Sequence, residues 1–300
     1  MKLHLAAHYG MCFGVRDALR TAEQTAHREP ATLLGPLVHN PTVTQNLAAL
    51  GLREGDLHSL SSASTQRVLI TAHGASDRDR QRWLNAGHTV TDTTCPLVRK
   101  AHGALHQLVR QGFHPVVIGQ STHAEVRGLT GDFPDASIIL EPGDIARIPP
   151  MPRIGIIAQT TQPLSRVEAL VSRVRDALPH SEVRYVDTVC QPTKLRQEAV
   201  ETLCKRCEVV IVVGGRVSNN TTQLAHRIRQ CGATPRPVEF AHEIDPGWFS
   251  GVEHVGLTAG TSTPDETIRL VIDRLRSLGA TLEDPLRDPS QPHPHPHPNP

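Results

Sequence analysis

Aromatic side chains are scarce in this 300-residue chain, with five Phe, two Trp and two Tyr making up 3% of it. A core dominated by stacked rings is excluded, and with 38% apolar residues the interior must rest on Val, Leu, Ile and Ala. No sign of charge prevails either. The 31 basic and 30 acidic residues leave a formal net charge of +1, so nothing in the overall balance points to a nucleic-acid partner. Long hydrophobic runs are missing: a stretch such as Val209-Val210-Ile211-Val212-Val213 is far too short to span a bilayer. The first residues lack an apolar segment followed by a cleavage site, and the chain reads as cytoplasmic. Six cysteines in that setting argue against a disulfide scaffold and for metal binding, catalysis or plain burial.

Three of those cysteines stand in a repeat. Asp92-Thr93-Thr94-Cys95 and Asp187-Thr188-Val189-Cys190 are near-identical phrases, and Cys12 opens a strand-to-helix turn near the start of the chain. A polar residue just past an apolar run follows these cysteines after 27, 28 and 28 positions: His39, His123 and Ser218. A second set, His73, Thr160 and Ser262, follows after 61, 65 and 72 positions. Three presentations of Cys, polar, polar at matched intervals read as three copies of one unit about a pseudo-threefold axis. The interval is too long for a solenoid, so the copies are expected to be small domains.

Short β-branched runs alternate with longer amphipathic segments, the pattern of βαβ units and parallel sheets. Strands are expected at 2–5, 32–34, 67–71, 89–91, 115–118, 137–140, 153–158, 182–186 and 208–213, and near Pro237 and Val255. Helices are expected at 15–25, 42–50, 77–85, 97–111, 193–205, 221–231 and 264–278. The expected fold is α/β: three small domains at 1–92 (with Cys12), 93–187 (with Cys95) and 188–282 (with Cys190), in a trefoil-like arrangement around a central iron-sulfur cluster. The Pro/His-rich tail, 283–300, reads as disordered or polyproline-like. In open parallel sheets ligands bind beyond the carboxyl ends of the strands, where every residue of the triple echo falls.

Three converging thiolates leave one corner of a 4Fe-4S cluster without a protein ligand, and an open iron is a Lewis acid for a substrate oxygen. Tetrahedral zinc with three cysteines and a further ligand is the rival reading. His39, His73, His123, Ser218, Asn220 and Ser262 form a set of short hydrogen-bond donors suited to a small polyanion. Glu125, two residues after His123, is a carboxylic acid beside that set; a bound anion raises its pKa and suits it to proton donation, while a helix-start carboxylate is the plainer reading. Cys204-Lys205-Arg206-Cys207 has the spacing of a redox pair but falls at a helix end. It is read, with Cys231, as structural. Two other activity classes share these residues: a three-cysteine cluster dehydratase of the quinolinate-synthase kind, and a non-catalytic iron-sulfur or zinc-binding protein.

At these residues the chain resembles the HMBPP reductase family, also called IspH or LytB. The ordered series that carries the resemblance is Gly10-Met11-Cys12-Phe13-Gly14-Val15, Val38-His39-Asn40, Ala72-His73-Gly74, Asp92-Thr93-Thr94-Cys95-Pro96-Leu97-Val98, His123-Ala124-Glu125-Val126-Arg127-Gly128, Gln159-Thr160-Thr161, Cys190 with Arg196-Gln197-Glu198-Ala199, and Thr258-Ala259-Gly260-Thr261-Ser262. The resemblance implies reduction of 4-hydroxy-3-methylbut-2-enyl diphosphate (HMBPP) to isopentenyl and dimethylallyl diphosphates, the last step of the methylerythritol phosphate route to isoprenoids. It implies one 4Fe-4S cluster on Cys12, Cys95 and Cys190, and a diphosphate held by His39, His73, His123, Ser218, Asn219, Asn220 and Ser262. Glu125 is implied as the proton donor, with Thr160 and Thr193 in the relay, and a ferredoxin or flavodoxin type protein as the electron donor. Two departures stand out. Asn219 occupies a position where many members carry Ser, and its amide still donates; Pro192 precedes Thr193 and bears on how that hydroxyl is presented.

Overall fold

The computed structural model describes residues 1–283, and the Pro/His-rich tail beyond them lies outside the described residues. In chain order the first third contains β1 (Lys2–Leu5), α1 (Phe13–Ala26), β2 (Ala31–Leu33), α2 (Pro41–Ala49), β3 (Arg53–Glu54), β4 (Arg67–Ile70), α3 (Asp77–Asn85) and β5 (Thr89–Asp92). The second contains α4 (Pro96–Arg110), β6 (His114–Ile118), α5 (Ala124–Thr130), β7 (Ser137–Ile139), β8 (Arg153–Ala158), α6 (Leu164–Ala177) and β9 (Glu182–Tyr185). The last contains α7 (Gln191–Cys204), β10 (Val209–Val213), α8 (Asn219–Gln230), β11 (Thr234–Val238), β12 (His254–Ala259), α9 (Asp265–Ser277) and β13 (Thr281–Leu282). The α/β class expected from the alternation is the class observed. Helix α6 is an addition to the expected set, although Leu164, Val167, Leu170, Val171 and Val174 recur at helical spacing and bury one face of it.

Three parallel sheets result, ordered β3-β2-β4-β5, β7-β6-β8-β9 and β11-β10-β12-β1-β13. The first two have the same winding, second-first-third-fourth. The last has it too once β1 is counted as its fourth strand. Lys2–Leu5 pairs with 254–257 of β12 on one side and, through Lys2 and Leu3, with Thr281 and Leu282 of β13 on the other. The expected division gives β1 and Cys12 to the first domain, and the pairing instead gives this strand to the sheet of the last third. Local periodicity identifies a strand but not its partner. Counted this way, each cysteine follows the fourth strand of a sheet: Cys95 after β5, Cys190 after β9 and Cys12 after β1.

The chain divides into two compact units, one made of 1–16, 39–43 and 194–283, the other of 17–38 and 44–193. The first holds the five-stranded sheet, whose core joins Val210 to Val213 and Leu257 to Val200 and Leu203 of α7, Leu224 and Ile228 of α8 and Val271 and Leu275 of α9. The second holds both four-stranded sheets. In the β7-β6-β8-β9 sheet the side chains alternate between two layers: Val116, Ile118, Ile154 and Ile156 face α6, while Val117 and Ile157 face Leu105, Leu108 and Val126. Burial on both faces is why these strands read as unbroken apolar runs rather than as alternating ones. Cutting a fully buried side chain such as Leu105 back to Ala costs about 2–5 kcal/mol.

Candidate active site

The two Asp-Thr-x-Cys phrases fold alike. Asp92 Oδ1 accepts the backbone N–H of Thr94 at 2.9 Å, and Asp187 Oδ1 that of Val189 at 3.1 Å, each closing an Asx turn at the end of a fourth strand. The following threonine reaches sideways to the neighbouring third strand: Thr93 Oγ1 donates to Ile70 O at 2.6 Å and Thr188 Oγ1 to Ala158 O at 2.5 Å. The cysteine N–H then donates to the same neighbour two residues on, Cys95 to Ala72 O at 3.1 Å and Cys190 to Thr160 O at 3.0 Å. Cys12 makes the matching bond to Thr261 O at 3.1 Å without an Asp-Thr pair. There Gly10 supplies the turn, with φ +73° and its N–H on Ala259 O at 3.1 Å.

Each of the three cysteines immediately precedes a helix, α1, α4 or α7. The N–H groups and dipole of a helix start make this a favourable place for a negatively charged group or ligand. None of the three is in a disulfide, and none is fully buried. One turn into two of these helices an arginine returns to the carbonyl before the cysteine: Arg16 Nε donates to Met11 O at 3.3 Å and Arg99 Nε to Thr94 O at 3.2 Å. Arg16 is itself fixed by Asp265, whose two oxygens accept from Nη2 at 2.9 and 2.8 Å. Arg196, 5% exposed, donates to Gly10 O. Residue identity alone gives Asp92, Asp187 and Arg196 no positioning role. For the two aspartates the signal is the repetition of Asp three residues before Cys, at Asp92 and Asp187.

The polar residues of the echo follow the first and third strands of each sheet. Those strands are neighbours in every order, at the place where the winding reverses, which is where open α/β sheets bind ligands. In the unit containing 44–193, Glu125 is 2% exposed. Its Oε1 accepts the Thr160 N–H at 2.6 Å and its Oε2 accepts the Thr160 hydroxyl at 3.0 Å. Burial pushes the carboxyl up to about 7, against the two Thr160 bonds, which pull it down. His123 is the N-cap of α5, its Nδ1 accepting the Glu125 N–H at 3.1 Å, so the neutral ring carries its proton on Nε2. The His73 ring meets it edge to face, with centroids 5.3 Å apart.

In the other unit, Ser218 caps α8 by accepting the Thr221 N–H. Asn220 Oδ1 accepts the Thr261 N–H at 3.0 Å, which leaves its NH2 as a donor toward a ligand. Asn219 Oδ1 accepts from Gln223 Nε2 at 3.2 Å, so its amide NH2 is likewise its donating end. Ser262 Oγ donates to the His39 carbonyl at 3.5 Å. Burial lowers the pKa of His39 and keeps its ring neutral. The turn into α8 depends on Gly214, at φ +154°, where a Cβ would lie 2.4 Å from Thr221 Oγ1.

Thr193, fully buried, has its hydroxyl 3.1 Å from Cys190 Sγ. Pro192 falls in the first turn of α7, where its missing N–H has no intrahelical partner to lose, so the helix starts at Gln191. The hydroxyl expected in a proton relay is thus a hydrogen-bond partner of a cysteine sulfur.

The LytB protein family model matches residues 3–276. A 4-hydroxy-3-methylbut-2-enyl diphosphate reductase of Geobacter sulfurreducens is 34% identical over 278 residues, spanning 92% of this chain and 97% of that relative. The protein of the same name from Aquifex aeolicus is 35% identical over 280 residues, 91% and 96% of the two chains. The solved structure of the E-1-hydroxy-2-methyl-but-2-enyl-4-diphosphate reductase from Plasmodium falciparum superposes with a TM-score of 0.85 at 25% identity, covering 91% of this chain and 87% of that one. A solved (E)-4-hydroxy-3-methyl-but-2-enyl diphosphate reductase gives 0.67 at 33% identity, covering 92% and 100%. On the match over nearly its whole length, this chain belongs to the LytB protein family.

Proposed function

We propose that this chain reduces 4-hydroxy-3-methylbut-2-enyl diphosphate to isopentenyl and dimethylallyl diphosphates. The observation that carries the reading is Glu125, a buried carboxyl near pH 7 in its pKa and held at both oxygens by Thr160. Loss of an allylic hydroxyl requires an acid that is still protonated at neutral pH, and few carboxyls are.

Cys12, Cys95 and Cys190 fit as ligands of a 4Fe-4S cluster: three partly exposed cysteines outside any disulfide, each placed immediately before a helix. When bound, the cluster supplies electrons one at a time and a Lewis-acidic iron corner. The protein does the rest. The imidazoles of His39, His73 and His123, the hydroxyls of Ser218 and Ser262 and the amides of Asn219 and Asn220 donate to the diphosphate oxygens and hold the alcohol end in one orientation. Glu125 gives its proton to the departing hydroxyl, which leaves as water, and Thr160 fixes the acid's orientation through both bonds. Two electrons and two protons are consumed for each substrate, one proton leaving in the water and the other ending on an allylic carbon. Protonation at either end of the allyl system accounts for two products. A ferredoxin or flavodoxin type protein serves as donor.

The test is anaerobic reconstitution with iron and sulfide, then addition of a reduced donor and HMBPP. We expect about four irons per chain and formation of both C5 diphosphates. Zinc without iron in anaerobically purified protein, or no consumption of HMBPP by the iron-loaded chain, would overturn the proposal.

A further inference from the structure

The unit containing 44–193 holds a second group of ligating side chains, outside the residues of the proposed chemistry. Helix α4 carries His102-Gly103-Ala104-Leu105-His106, two imidazoles one turn apart on one face, the helical spacing that lets a pair of histidines serve one ion. Asp77 opens α3 and Asp132 follows α5, so three separate elements contribute. His106 lies eleven residues past Cys95 along α4, about 16 Å by helical rise. This group is therefore distinct from the cysteine end of the helix.

The ligand atoms of Asp77, His106 and Asp132 all lie within 4.8 Å of one another. His106 Nε2 stands 3.9 Å from Asp77 Oδ2 and 3.9 Å from Asp132 Oδ2, too long for hydrogen bonds. Two ligands of a tetrahedral ion at 2.0–2.2 Å stand about 3.3–3.6 Å apart, so closing each His–Asp gap by about half an ångström would bring them onto one centre. The groups are already oriented for it. Asp132 accepts the Asp77 N–H on Oδ2 at 2.8 Å and the Arg78 N–H on Oδ1 at 2.9 Å, so the start of α3 fixes its carboxylate and leaves each oxygen a further lone pair. Arg80 Nη1 donates to Asp77 Oδ1 at 2.5 Å, and the other oxygen is the one facing His106. The His106 ring meets Phe133 edge to face, with centroids 4.8 Å apart. Outer contacts of this kind are what hold the ligands of metal sites in place. A separate observation concerns His102, whose Nε2 is buried and has no hydrogen-bond partner, a costly state that a cation would relieve. Burial lowers its pKa and favours the neutral ring, the form that ligates metal.

We propose that Asp77, His106 and Asp132 hold a divalent transition-metal ion, with His102 as a further imidazole donor, and that the ion staples α3, α4 and the turn after α5. Carboxylates with imidazole suit manganese or zinc. The Asp77 side chain, 70% exposed, gives the ion its way in from solvent. The role is structural: α3 follows the loop of His73, α4 follows Cys95, and α5 is capped by His123, so one ion here braces the three elements that present those residues.

Manganese is the probe, because soft thiolates hold it poorly and the cysteines stay out of the measurement. Full-length protein, passed through a chelating resin, is titrated with Mn2+ alone, with free ion read by EPR and the denaturation midpoint followed in parallel. We expect one site per chain, a midpoint that rises with Mn2+, and binding weakened by about tenfold or more in His106→Gln and in Asp77→Asn. Asp77→Asn changes an exposed side chain, so that variant should fold as the wild type does without metal. Replacing His293, His295 and His297 of the tail by Ala should leave the site intact. No binding by the wild type, equal binding by wild type and Asp77→Asn, or loss of the site with the tail histidines would each overturn the proposal. The readout is bound manganese, so it does not depend on the activity proposed above.

Discussion

Glu125 and Thr160 are joined twice: the carboxylate takes the backbone N–H of Thr160 on one oxygen and its hydroxyl on the other, at 2.6 and 3.0 Å. The acid is thereby fixed in orientation by a single residue at the end of β8, and burial still outweighs both bonds and leaves it titrating near 7.

This fixes the sign of a pH dependence. With the folded pKa raised from 4.5 to about 7, the native state holds a proton that the unfolded chain has lost across that window. Stability therefore falls as pH rises from about 4.5 to about 7, by on the order of 3 kcal/mol from this group. Glu125→Gln should remove that slope, as read from chemical denaturation at pH 5 and pH 8. It should also cut turnover by about 10²–10⁴-fold, and wild-type turnover in this variant would take Glu125 out of proton transfer.

Thr160→Val deletes the hydroxyl and keeps the N–H. Losing a hydrogen bond to a charged group, about 1.5–3 kcal/mol, favours the protonated acid. The alkaline limb of the pH–rate profile should then move up by about one to two units; an unmoved limb would mean that the hydroxyl contact does not govern the acid.

The cap on α5 separates stability from binding. His123→Ala removes the acceptor for the Glu125 N–H and should cost about 1 kcal/mol, whereas His123→Asn retains a capping acceptor and should fold with near wild-type stability. If the ring also binds diphosphate, both variants raise KM by about tenfold or more, the loss of one good donor to an anion. Equal KM in His123→Asn and wild type would assign the ring to capping alone.

Gly10→Ala tests the turn that stands in for Asp-Thr before Cys12. Its φ of +73° disfavours a side chain, and the new Cβ would lie 2.8 Å from Ile268 Cδ1, in a core position. Destabilisation of about 1–3 kcal/mol is expected, together with less iron retained per chain after reconstitution. Unchanged denaturation midpoint and iron content would show that the turn adapts.

Much of this was legible in the residues, and what was not has physical reasons. Strand and helix positions follow from apolar spacing, which is local, and most agree with the structure to within a residue or two. The triple echo marked positions after first and third strands because the same winding recurs in all three sheets. The partner of β1 was hidden because strand pairing across some 250 residues leaves no trace in local spacing. Helix α6 is legible in its apolar stripe, Leu164, Val167, Leu170, Val171 and Val174. The orientation of Thr193 toward Cys190 depends on the rotamer adopted in the first turn of α7, which residue identity does not set.

The position of β1 has a consequence for synthesis on the ribosome. Its four residues are translated some 250 positions ahead of β12 and β13, between which they lie and whose partner residues begin at His254 and Thr281. Until those emerge, β1 has both hydrogen-bonding edges open and the Cys12 N–H has no Thr261 carbonyl to meet. The first of the three helix-start cysteines to be made is therefore the last to be placed, and insertion of any metal centre that depends on it must await synthesis of the segment from His254 to Thr281.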